Sequence, residues 1–220
     1  MVDCHCHSIF SDGELIPAEL LRRVEAMGYS HIAITDHADP SNLDLIVPRM
    51  VAAARELNGH SSTLLIPGIE LTHCPPPLIG PLARRARELG AQVVVCHGET
   101  VVEPVRPGTN RAALEADIDI LAHPGLITEE EVRLAAERGI FLELSGRKGH
   151  CLTNGHVARL ALRLGARLMV NSDGHAPGDF MTRERARQVA KGAGLDDNGV
   201  EALFGEVRRW VQGLAGAPGE

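Results

Sequence analysis

Histidines and carboxylates recur along this sequence at positions that could hold metal ions. His5-Cys6-His7 places two imidazoles at i and i+2, so in an extended segment both project from one face and can reach one cation. Asp12 follows in Ser11-Asp12-Gly13. Later apolar runs finish in Thr35-Asp36-His37, Gly68-Ile69-Glu70, Cys96-His97-Gly98, Ala122-His123-Pro124-Gly125 and Asn171-Ser172-Asp173-Gly174-His175. Six of the eleven histidines thus stand where a strand finishes. Singly, each reads equally well as a solvated residue. Together, three carboxylates and six imidazoles at one rim would be costly to desolvate unless cations or hydrogen bonds offset the loss. Nine donors exceed what one ion uses, whereas a bridging carboxylate lets two or three ions about 3.5 to 4 Å apart share them. The count points to a multinuclear site.

These residues need a scaffold that brings strand ends together. Short apolar runs of β type at residues 1–7, 31–36, 63–70, 92–97, 118–123, 141–145 and 167–172 alternate with helical patterns. The helical segments are expected at 16–27, 44–57, 78–89, 112–116, 128–138, 155–164, 182–191 and 198–214. Gly28, Gly59, Gly90, Gly139 and Gly165 follow helices as expected left-handed caps. Seven βα units imply parallel strands joined by right-handed crossovers, in an open doubly wound sheet or a closed barrel. In either, the carboxyl ends of the strands converge on the ligand-binding face. No linker or charge block divides the chain before its Gly- and Pro-rich end, so residues 1–220 are expected to form a single domain.

Composition narrows the function. With 44% hydrophobic and 23% charged residues the chain should fold, and a net charge of −7 without a basic tract argues against a nucleic-acid polymer as ligand. One Trp, one Tyr and four Phe leave little for a base-stacking surface. No charged-then-apolar leader and no apolar run of membrane-spanning length is visible, so a cytoplasmic protein is expected. The five cysteines form no CxxC pair, and Cys4, Cys6 and Cys96 read as buried packing residues in a reducing compartment.

The metal motifs resemble those of the PHP family, the polymerase and histidinol phosphatase superfamily: His5-Cys6-His7 with Asp12, Asp36-His37, His123-Pro124 and Asp173-Gly174-His175, joined by Glu70 and His97. The resemblance spans essentially the whole chain. It implies an α/β fold, a distorted (βα)7 TIM-like barrel with the metal site at the C-terminal ends of the strands. It also implies three divalent ions, Zn, Mn or Fe: one on His5, His7, Glu70 and Asp173, a second on Asp12, His37 and His175, and a third on Glu70, His97 and His123, with Glu70 bridging. Glu143-Leu144-Ser145-Gly146-Arg147 is similar to the stretch where histidinol-phosphate phosphatases use an Arg to hold phosphate.

The implied activity is hydrolysis of a small phosphomonoester, such as histidinol phosphate, a nucleotide or a sugar phosphate, by a metal-bridging hydroxide. Glu70, Asp173 and His175 are then the catalytic residues. Arg147, Lys148, Arg111 and His150 lie in or near loops after strands and are candidates for substrate binding, Arg147 foremost because a planar guanidinium can grip two phosphate oxygens. Its alternative is a solvated loop cation. His73 and Glu99 stand near ligands without an assigned role. An amidohydrolase-like hydrolase acting on a C–N or C–O bond remains open, since a fold does not fix chemistry, as does a non-catalytic metal-stabilised module. Mixed nitrogen and oxygen donors suit Zn, Mn and Fe alike.

Overall fold

The apolar runs do become strands. The computed structural model describes residues 1–215, with β1 (Val2–Asp3), β2 (His31–Ile34), β3 (His37–Ala38), β4 (Leu64–Leu71), β5 (Val93–His97), β6 (Ile120–Ala122), β7 (Phe141–Ser145) and β8 (Arg167–Asn171). Neighbours pair in parallel in the order β1-β2-β4-β5-β6-β7-β8, with β3 beside the second half of β4. Strands β2, β5 and β7 are buried along their whole length, as in parallel sheets covered by helices.

The expected strand at 31–36 is divided. Asp36 turns its carboxylate to the loop after β1, where Oδ1 accepts from Ser8 N and Ser11 Oγ and Oδ2 accepts from Ser8 Oγ, each at 2.7 Å. The ladder stops there and resumes at His37. Gly68 of β4 lies against the break, where a Cβ would sit 2.7 Å from Thr35 Cγ2.

The ladder in β1 covers only two of the seven residues expected, but the chain from Cys4 to His7 closes the barrel against the end of β8. Asp173 N donates to His5 O at 2.9 Å and His7 N to Gly174 O at 2.8 Å. Side chains complete the seam: Asn171 Oδ1 accepts from Cys4 N at 3.0 Å, and the buried Asp3 carboxylate accepts from Ser172 N at 3.2 Å and His5 N at 3.3 Å. Burial lifts the Asp3 pKa to about 6 in spite of its bonds to Ser172. The result is a nearly closed parallel barrel, a distorted (βα)7 fold.

Eight helices surround it: α1 (Pro17–Ala26), α2 (Leu43–Leu57), α3 (Pro76–Glu88), α4 (Thr109–Glu115), α5 (Glu129–Arg138), α6 (Asn154–Leu164), α7 (Arg183–Gly192) and α8 (Asp197–Ala215). Their apolar stripes face the barrel, as with Leu20, Leu21 and Val24 of α1. A capping box starts α5, with Thr128 Oγ1 accepting from Glu131 N and Glu131 Oε2 from Thr128 N. Gly139 and Gly165 end α5 and α6 in the left-handed region, as expected. Gly59 does not cap α2. It lies within a 3₁₀ turn, Asn58–His60, because Asn58 bonds both Leu65 N and Leu65 O and carries the chain onward. The Gly- and Pro-rich end beyond residue 215 lies outside the described residues. Among those described, no helix is long and apolar enough to cross a membrane. All five cysteines are free, four of them buried and Cys151 exposed.

Candidate metal centre

The nine expected donors, eight from strand ends and Asp12 from the loop after β1, open onto one face of the barrel. Glu70, fully buried at the end of β4, stands at their centre: Oε1 lies 3.3 Å from His5 Nε2 and 3.9 Å from His123 Nε2, and Oε2 lies 2.6 Å from His37 Nδ1 and 3.8 Å from His7 Nε2. Asp173 Oδ1 is 3.2 Å from His7 Nε2 and 3.7 Å from His5 Nε2. On the solvent side, Asp12 Oδ1 lies 3.1 Å from His175 Nε2 and 3.5 Å from His37 Nε2. Donor atoms gather within 4.8 Å of one another in sets: His5, His7 and Glu70; His5, His123 and Asp173; His7, Asp12, His37 and His175; His97, His123 and His150; and His73, His97 and Glu103. The third set holds the residues expected for the second ion with His7 added, whereas the first two divide those expected for the first ion, Glu70 from Asp173, and add His123. In the fourth, His97 and His123 gather with His150 rather than with Glu70.

Most of these imidazoles are fixed through one nitrogen, leaving the other for a cation. His5 Nδ1 lies 2.7 Å from Glu143 Oε2, which also accepts from Asn171 Nδ2 at 3.1 Å. His97 Nδ1 meets Gly98 O at 3.1 Å, His175 Nδ1 meets Asp173 O at 2.9 Å, and His150 Nδ1 meets Thr100 Oγ1 at 2.8 Å. Against this ordered surround, His5 Nε2, both ring nitrogens of His7, Glu70 Oε1 and His123 Nδ1 are buried without a hydrogen bond. Each such atom costs about 1 to 3 kcal/mol. Nitrogen and oxygen donors of this kind fit bound divalent cations, which would satisfy His5 Nε2, Glu70 Oε1 and one ring nitrogen of His7.

The charges are arranged to the same end. Burial opposes a proton on His5, but Glu143, Glu70 and Asp173 outweigh it and push its pKa well up. Burial, reinforced by His37 beside His7 and His97 beside His123, holds those two imidazoles well below the usual range and therefore neutral, the form that binds metal. Glu70 is buried too, yet His5 and His37 keep it ionised with a pKa well below normal. Burial lifts Asp173 to about 7 although His5 pulls the other way. Among the described residues only three other than glycine adopt positive φ, and all three are here: His73 (51°), His123 (27°) and Asp173 (50°). Backbone strain of this kind collects at functional sites.

Residues 3–100 match the family described as PHP domain. The chain belongs to that family. It is 47% identical over 201 residues to uncharacterized protein MJ1295 of Methanocaldococcus jannaschii, covering 90% of this chain and 92% of that one. A shorter likeness, 37% over 70 residues, is to a 5'-3' exoribonuclease of Haemophilus influenzae and covers 32% of this chain and 23% of that protein. The fold of this PHP-domain protein is similar to that of histidinol phosphate phosphatase from Lactococcus lactis, whose structure holds zinc, L-histidinol and phosphate. The TM-score is 0.62 at 17% identity, over 89% of this chain and 94% of that one.

Of the candidate substrate residues, Arg147 and His150 line the central cavity of about 420 Å³, together with Asp12, His37 and His73. Lys148 opens instead into an adjoining groove with Arg185. Arg111 does not reach the site: it sits on α4, where Nε donates to Glu115 at 2.5 Å and Nη1 to Glu130 at 2.7 Å, so surface ion pairs remove it from the substrate-binding candidates. Glu99 accepts from Gly108 N and Asn110 N, both at 2.9 Å, and thus secures the start of α4. Sequence reasoning missed Glu103. Its Oε2 lies 3.0 Å from His97 Nε2 and 3.2 Å from His73 Nε2, its Oε1 lies 3.4 Å from His150 Nε2, and the bond from His97 holds its pKa at about 2. It comes from an aperiodic loop that gives no signal. Glu143 was readable, since a carboxylate inside the buried run Phe-Leu-Glu-Leu-Ser demands a partner.

Proposed function

We propose that this PHP-domain protein is a metal-dependent phosphoesterase that hydrolyses a small phosphomonoester at a trinuclear site. The observation that carries the reading is the group of buried, unpartnered donors around Glu70, next to a cavity that Arg147 lines. The phosphate and L-histidinol held by the Lactococcus relative in fold support the substrate class. Bound ions would neutralise phosphoryl oxygens and make a water acidic enough to attack near neutral pH.

The chain's own residues then have distinct tasks. Glu70 and Asp173 supply the central negative charge, and His175 holds the open side. Arg147 Nη1 donates to Asp173 O at 3.0 Å and lies 2.8 Å from His175 Nδ1. A guanidinium only donates, so the contact with His175 is a hydrogen bond only while that Nδ1 carries no proton. Were His175 to hold a cation through Nε2, its Nδ1 would carry the proton, the contact with Arg147 would be lost and the guanidinium could turn to an anion in the cavity.

Phosphomonoesters, nucleotides, a 5'-phosphorylated oligonucleotide and amides should be screened with Zn, Mn and Fe supplied separately. The expected result is metal-dependent release of phosphate from a small phosphomonoester. Turnover of amides alone would overturn the reading. Arg147→Ala should lower kcat/KM on the best substrate by about 30- to 1000-fold with unchanged metal content, and Arg147→Lys should restore part of it. Loss of metal together with activity would instead make Arg147 a support for His175.

A further inference from the structure

Glu70 lies within 4.0 Å of His5, His7, His37 and His123, but makes no such contact with His97. An ion held by His97 and His123 therefore needs another donor close by. His150 stands there, on the far side of the barrel mouth from Asp12. Its ring stacks on that of His123, with centroids 4.1 Å apart and planes inclined by 18°, and lies 6.0 Å from that of His97. The donor atoms of the three residues fall within 4.8 Å of one another, and His123 Nδ1 beside them is buried without a partner.

His150 is also built like a ligand. It is 5% exposed, and Thr100 Oγ1 fixes its Nδ1 so that Nε2 faces inward, 3.8 Å from Asp173 Oδ2. The connection that delivers it is rigid. Asn154 at the start of α6 clamps β7 by bonding Ser145 N at 3.0 Å and Ser145 O at 2.9 Å, and Cys151 N donates to Arg147 O at 3.1 Å. Gly149 adopts φ +92°, and a Cβ there would lie 3.4 Å from Val102. By contrast, the side chain of Arg147, in the same connection, is 34% exposed. A buried imidazole anchored at Nδ1, with Nε2 among two other imidazoles, matches the way proteins orient metal-binding histidines.

We propose that His150 is a tenth metal ligand, which with His97 and His123 forms a nitrogen-rich shell for the third ion, an assignment that rests on the trinuclear reading. Such a shell favours Zn over Mn, unlike the carboxylate-rich part of the centre around Glu70 and Asp173. Glu103 is the carboxylate at its edge, with Oε2 3.0 Å from His97 Nε2 and Oε1 3.4 Å from His150 Nε2.

The test reads metal directly, without substrate. Wild type, His150→Ala and Thr100→Val are stripped, reloaded with Zn, and assayed for bound equivalents by elemental analysis and for affinity by chelator competition. A thermal melt checks that each variant folds. Wild type should take three equivalents. His150→Ala should keep two and bind the third about 100-fold more weakly or not at all, and Thr100→Val, which only frees Nδ1, should weaken it about 10-fold. Mn should fill the other two positions in all three proteins. Three equivalents at wild-type affinity in both variants would overturn the assignment and leave the trinuclear reading standing. Two equivalents in wild type would overturn the trinuclear reading itself.

Discussion

The two sides of the metal rim differ in how they are held. On the floor, His5, His7, Glu70 and Asp173 are 0 to 2% exposed and carry most of the unpartnered donor atoms. On the open side, the side chains of Asp12, His37 and His175 are 56%, 26% and 11% exposed, and Asp12 comes from a loop rather than a strand end. The same ligand types thus produce two kinds of site. The floor needs a cation to offset its desolvation, whereas the open side can be hydrated when empty. Floor ions should behave as part of the fold and the open-side ion as an exchangeable one.

Replacing Glu70 attacks that difference at its source. Glu70→Ala removes a fully buried carboxylate that faces both sides, so it should abolish nearly all hydrolysis, lose at least one equivalent of metal, leave His37 without its closest counter-charge and leave His5 with Glu143 as its nearest. Full metal content in this variant, read by elemental analysis, would show that the bridge lies elsewhere. Chelation is the next largest effect. Graded removal of metal should release one ion first with little change in the melt, then lower Tm by about 10 °C or more as the floor ions leave, reversibly with Mn or Zn. A first equivalent whose loss takes most of the stability would erase the distinction between the sides.

In the metal-free protein Asp173 should betray the floor through pH. Its pKa is raised from 3.8 to about 7, so the stability it contributes is complete below the unfolded value and is lost as pH rises through the folded one. Melts of metal-free wild type and Asp173→Asn should therefore diverge between about pH 4 and 8, the variant gaining by at most about 4 kcal/mol. A gap that stays constant with pH would mean that Asp173 is not desolvated. Glu143→Gln keeps the shape beside His5 but weakens its anchor, and should cost about 10- to 100-fold in affinity for one floor ion. Asp12→Ala should be the mildest, raising the dissociation constant of the open-side ion about 10-fold while the melt stays within a degree or two, because no buried charge is stranded.

Much of this site is legible in sequence for a physical reason. In a parallel barrel the strand ends must meet, so period-2 runs that terminate in His, Asp or Glu predict their own convergence, as for Glu70, His97 and His123. What escapes is what depends on side-chain direction. Asp36, adjacent to a ligand in its motif, looks the same in sequence as Asp173 but serves the β1 loop. Arg111 sits near a strand end yet points outward from α4. His150 and Glu103 reach the cavity from connections whose course is set by Gly149 and Asn154, residues whose effect appears only once β7 and α6 are packed.

The seam between β1 and β8 gives the centre a place in time. His5 and Asp173 lie on opposite sides of it, joined by the bond from Asp173 N to His5 O, although 168 residues of chain separate them. Long-range contacts of this kind form late, because the loop they close must first be ordered. A nascent or refolding chain therefore has no complete floor until its seventh βα unit docks, and a cation bound there would act as a latch on the completed ring.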